Sequence, residues 1–175
     1  MSKHAHALAH THAHKHRSKQ QPAHVAHFIG LHISDARIIS ARTGIPIEVI
    51  LAQSALESNW GRSVKENAYF GIKGKSTAGR STTFATHEVT LSGKRISEVD
   101  EFRAYANYAE AASDYASLIQ RKYSTVMAHR TNPTEFAEAV ARRGYATDPQ
   151  YATKLKSIIH LHIAPLVKGR NTVKP

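Results

Sequence analysis

The chain of 175 residues contains no cysteine, which excludes disulfides and thiolate metal sites. It has no apolar run long enough to cross a bilayer. The basic residues near its start are not followed by the apolar stretch of a secretory signal. Export is therefore expected by another route, such as phage lysis, a dedicated secretion machine or fusion to a carrier. Acid is missing from residues 1–27, which hold Lys3, Lys15, Arg17 and Lys19, so +4 of the net charge of +11 lies there. A surplus of this kind favours a polyanionic partner, whether nucleic acid, anionic lipid or cell wall, without choosing among them.

Residues 1–21 are low in complexity, with His4, His6, His10, His12, His14 and His16 set mostly between small residues. Imidazole suits zinc, copper and nickel, and histidine gains charge just below neutrality, so a metal tract and a pH-dependent cationic arm are both open readings. A solvated tail accounts for the composition more simply. The expected division is a tail over 1–21, a folded region over 22–170 and a short C-terminal tail over 171–175.

Within the folded region, Ser34 is placed to cap a helix that Gly44 ends. Pro46 suits the start of a second helix, apolar on every side, that carries Glu57 and stops near Asn59–Gly61. Residues 63–81 read as loop. The stretch STTFATHEVTLSGKRISEVDEFRAY, with a turn signal at Ser92-Gly93, predicts two short strands in a hairpin. Helical spacing resumes after Asn107. Asn132, Pro133 and Glu135 start a further helix that Gly144 terminates, and a last one runs from Pro149. The sum is an α+β fold, mainly helical, with one small β-hairpin.

Glu57 is the residue that needs an explanation, because glutamate rarely ends an otherwise buried run. At a helix C-terminus its ionisation is opposed by the dipole, and burial opposes it too. Both effects hold the group protonated near neutrality, as a general acid requires. A protonated carboxyl close to aromatic rings can protonate a glycosidic oxygen. A surface glutamate ending an ordinary helix fits the spacing equally well.

The stretches AQSALESNWGRS at 52–63 and NAYFGIKG at 67–74 resemble the signature of the glucosaminidase family, glycoside hydrolase family 73. The similarity continues through THE at 86–88, FRAYANYAEAASDYASLI at 102–119 and GYATDPQYATKL at 144–155, five motifs in the family's order. The resemblance implies a lysozyme-like fold, a helical lobe and a small β-lobe flanking a groove. It implies hydrolysis of the β-1,4 bond between N-acetylglucosamine and N-acetylmuramic acid in peptidoglycan. Glu57 matches the family's catalytic acid. Glu88 matches an acidic position on the hairpin, the candidate for activating water or stabilising positive charge. Tyr145 matches an active-site tyrosine. Asp148 is read as a helix cap.

A sugar-binding groove needs aromatic platforms and amide groups. Trp60, Asn67, Tyr69 and Tyr151 are the candidates to line it, while Phe70, Phe102, Tyr108 and Tyr115 are assigned to the core. No cofactor and no catalytic metal are implied. The expected partner is peptidoglycan, met by a monomer, with an immunity protein blocking the groove if the chain is an antibacterial effector; no nucleic-acid recognition motif accompanies the charge. Two rivals remain: a lytic transglycosylase, which leaves an anhydro-sugar, and a non-catalytic wall-binding module.

Overall fold

Gly44 and Pro46 decide how the first two helices meet. In the computed structural model, which describes residues 21–89 and 95–169, helix α1 (Ala23–Thr43) stops at Gly44, whose φ of +75° lets its N–H turn back to the Ser40 carbonyl. A side chain at that φ would be strained, and glycine is free of the penalty. Pro46 then takes the cap position of α2 (Ile47–Glu57) with φ −57°.

The expected start of the first helix at Ser34 is corrected. Val25, Phe28, Ile29, His32, Ile33, Ala36 and Ile39 are all buried along α1. That three- and four-residue spacing is a continuous apolar stripe whose packing outweighs a capping tendency at Ser34, which sits exposed in mid-helix. Gln21, assigned to the tail, joins the folded part: its Nε2 donates to the His162 carbonyl at 2.8 Å.

The remaining elements are β1 (Ser81–Val89), β2 (Arg95–Arg103), α3 (Tyr108–Lys122), a 3-10 turn (Ser124–His129), α4 (Pro133–Arg142), α5 (Tyr151–Ile158), a π turn (Ile159–Ile163) and α6 (Ala164–Gly169). Helix α2 lies at the centre, packed against α1, α4 and α5, and every residue from Val49 to Ala55 is buried. Asn107 caps α3 by accepting from the Glu110 N–H, and the Glu110 carboxylate accepts from the Ala106 N–H. Asn132 caps α4 by accepting from the Thr134 and Glu135 N–H groups. The last helix begins at Tyr151 rather than Pro149, because Asp148 holds the Gln150 N–H and so delays the first turn.

The strands pair antiparallel from Ser81 opposite Arg103 to Val89 opposite Arg95; the Ser92-Gly93 turn lies outside the described residues. A lone two-stranded sheet is marginal by itself. This one is stitched to the helical part by the loop after residue 70: Gly74 N–H donates to the Glu101 carbonyl and Arg103 N–H to the Ile72 carbonyl. No described helix is long and apolar enough to cross a membrane.

Candidate active site

Glu57 is the last residue of α2, and the chain turns sharply after it. Asn59, Trp60 and Gly61 follow with φ of 51°, 59° and 75°. Two consecutive non-glycine residues in the left-handed region carry backbone strain that the surroundings must hold. Ser58 does part of this, donating from its hydroxyl to the Ser54 carbonyl and accepting from the Gly61 N–H. The turn exposes Glu57 at the end of a helix whose body is fixed in the core.

The carboxyl is open to solvent yet crowded by protein atoms. The Tyr151 hydroxyl donates to Oε1 at 2.8 Å. On the other side Gly71 comes so close that a Cβ there would lie 3.0 Å from Oε2. Burial raises the Glu57 pKa above the ordinary carboxylate value, against a smaller downward pull from the Tyr151 hydrogen bond. The direction is the one expected from burial, and desolvation is its cause.

Behind the acid runs a chain of hydrogen bonds into the core. The Tyr115 hydroxyl donates to Gln53 Oε1, Gln53 Nε2 donates to the Tyr151 oxygen at 3.0 Å, and the Tyr151 hydroxyl donates to Glu57. Gln53 and Tyr115 have no exposure at all. With its oxygen already accepting from Gln53, Tyr151 directs its proton at Glu57. Burial and the neighbouring Glu57 carboxylate both raise the Tyr151 pKa, so the donor keeps that proton.

The structure brings Tyr145 and Tyr151 to Glu57, in roles set by packing. Tyr145 is half-buried; its hydroxyl donates to the Phe70 carbonyl at 2.9 Å, and its ring stacks on that of Tyr151 with centroids 6.0 Å apart. It thereby fixes the backbone just before Gly71. Tyr151, expected to line the groove, is buried to 3% exposure and faces the acid itself. Phe70, Tyr108 and Tyr115 lie in the core as expected, whereas Phe102 is half-buried on the hairpin against Phe84.

Trp60 and Tyr69 both meet Phe28, with Trp60 also edge-on to His162 and Tyr69 edge-on to His32 and to Tyr108. Both rings remain half-exposed. Asn67 has φ of 54° and donates from Nδ2 to the Tyr105 carbonyl, so its amide holds the loop. Glu88 stands opposite Ile96 in the hairpin; its side chain lies outside the described residues. Among the described residues no three ligating side chains converge as a metal site.

Gln53 and Gly71 also bear on Glu57, through Tyr151 and by direct approach, and were not among the site candidates of the sequence reading. Gln53 carried a signal, a lone amide one turn before Glu57 in an apolar helix. Gly71 stood only as one residue of the NAYFGIKG motif, with nothing to single it out.

A mainly helical domain with one small β-hairpin, and a carboxyl at the end of its central helix whose pKa burial raises, is an arrangement of the lysozyme-like kind. The chain belongs to the glucosaminidase family: the family model described as mannosyl-glycoprotein endo-β-N-acetylglucosaminidase matches residues 33–163. The peptidoglycan hydrolase FlgJ of Pseudomonas aeruginosa is 34% identical over 152 residues, 81% of this chain and 38% of that protein. The chain thus spans about two fifths of the length of such relatives. Among solved structures, the catalytic domain of the autolysin Auto from Listeria monocytogenes aligns with a TM-score of 0.69 and 27% identity, covering 82% of this chain and 86% of that one. A mutant of the peptidoglycan hydrolase from Sphingomonas sp. A1 aligns at 0.68 and 33% identity, covering 81% and 98%.

Proposed function

We propose that this chain hydrolyses peptidoglycan at the β-1,4 bond between N-acetylglucosamine and N-acetylmuramic acid, with Glu57 as general acid. The observation that carries this is the Glu57 carboxyl, its pKa raised by burial and reached by one aimed donor, Tyr151. Glu57 gives its proton to the glycosidic oxygen as the bond to the N-acetylglucosamine C1 breaks, and the muramic sugar leaves with a hydroxyl. Tyr151 then stabilises the new carboxylate. Positive charge at C1 is relieved by water, for which Glu88 is the candidate second group, Tyr145 bounding the same space. The excess of cations favours adsorption to an anionic wall through weak, salt-sensitive attraction.

Action on the wall puts the work outside the cytoplasmic membrane. The test is the mass of fragments from purified peptidoglycan reduced with borohydride. New reducing N-acetylglucosamine ends support the hydrolase. Anhydro-muramyl ends would make it a lytic transglycosylase with Glu57 in the same role, and intact strands would leave a binding module.

A further inference from the structure

Next to the acid lies a pocket of about 350 Å³, at the small end of the range for ligand sites. Two of its lining residues connect it to the acid. Gly71 is in its wall and is also the residue pressed against Glu57 Oε2. Tyr145 is in its wall and is stacked on Tyr151, the donor to Glu57. The charged side chains lining it are Lys73, Arg103 and Lys122, with no acid among the lining residues.

These three cations differ in what they have to spare. Arg103 is held by the buried Asp114 at 2.9 Å. Lys73 reaches Asp100 at 3.0 Å with its side chain two-thirds exposed (67%), a surface pair weak enough to exchange for another anion. Lys122 has no carboxylate partner among the described residues; its ammonium lies 5.5 Å from the Tyr123 ring centre. The pocket is therefore a cationic recess one residue away from the proposed site of bond cleavage.

The substrate supplies a matching group. In the proposed reaction the sugar leaving across the scissile bond is the muramic one, and its lactyl substituent, with any peptide on it, hangs beside the bond. We propose that this pocket binds a carboxylate of the muramyl substituent, with Lys122 as the principal cation and Lys73 as its helper. The inference rests on the peptidoglycan reading above and adds a specificity determinant to it. Lys122 is a binding residue that acts on KM, since it lies beyond the reacting atoms.

The experiment compares wild type, Lys122→Glu and Lys122→Gln on three substrates: intact peptidoglycan, the same material with its carboxylates converted to neutral amides, and strands stripped of peptides by an amidase. On intact material, charge reversal is expected to raise KM about three- to tenfold with kcat little changed, the neutral variant falling between. The difference is expected to shrink as salt rises and to vanish on the amidated substrate. On intact strands the lactyl carboxyl is amide-bonded to the peptide, so the change there reports a peptide carboxylate. A change on stripped strands reports the lactyl carboxylate that the amidase frees, and its absence there confines the site to the peptide. Equal KM for all three proteins on intact material, or an equal change on amidated material, overturns the proposal. Inactivity of wild type on all three substrates instead overturns the reading on which it rests.

Discussion

The hydroxyl of Tyr151 lies 2.8 Å from Oε1 of Glu57 while its oxygen accepts from Gln53 at 3.0 Å. The first residue of α5 thereby orients the last residue of α2, and the orientation is inherited from Tyr115 in the core. An acid that must meet a glycosidic oxygen in one geometry gains from such a fixed partner.

Replacing Tyr151 with Phe removes the donor and leaves the buried Gln53 amide without its acceptor. A stability loss of about 1–3 kcal/mol is expected in urea titration. Tyr151 pulls the Glu57 pKa down, so without it Glu57 holds its proton to higher pH. The alkaline limb of the kcat profile should move up in pH as the maximum rate falls. An unshifted limb would show that the hydrogen bond does not act on the acid.

Gly71→Ala tests the other side of the carboxyl. The added methyl would lie 3.0 Å from Glu57 Oε2, at a residue with φ +60°. Turnover is expected to fall about tenfold or more, since small displacements of a reacting group are expensive, with the fold retained by circular dichroism. Near-normal turnover would mean that the carboxyl moves freely.

The acid should also be a burden on the fold. Its folded pKa is raised above the ordinary 4.5. Stability linked to Glu57 is thus fully present below about 4.5 and is lost as pH rises through the folded value. Gln in its place carries no charge. Glu57→Gln is expected to melt about 1–3 °C above wild type at pH 7.5, and the gap should close near pH 4.

His32 produces the opposite slope. Buried against the stacked Tyr108 ring at 4.0 Å, it is pushed down from 6.5 to about 4, chiefly by burial, with a contribution from His27. Its contribution is complete above 6.5 and is lost as pH falls toward 4. Melting between pH 7.5 and 4.5 should show a decline of at most about 3 kcal/mol linked to this residue, flattened in His32→Phe. An identical slope in the variant would place the titration elsewhere.

The sequence exposed the place of Glu57 because α2 is apolar on all sides and Gly44, Pro46 and Gly61 punctuate it. The start signal at Asn132 was equally plain, since it is a local pattern of three or four residues, and Asn107 marked the point after which helical spacing resumes. The start of α1 was hidden because one member of its buried stripe is a histidine, His32, and because His24 and His27 continue the histidine-rich composition of the tail into the first turns. The partner of Glu57 could not be read at all: Tyr151 is 94 positions away along the chain, and only packing of α5 on α2 brings them together. Composition likewise gave no hint that Tyr145 would tie down the backbone beside Gly71.

The central claim is that Glu57 is the acid, and the direct measurement is the initial rate of peptidoglycan solubilisation by wild type and by Glu57→Gln, each shown folded by its thermal melt. The account predicts a loss of about a hundredfold or more in the variant. A variant within about tenfold of wild type, more than twofold above a no-enzyme control, would contradict it.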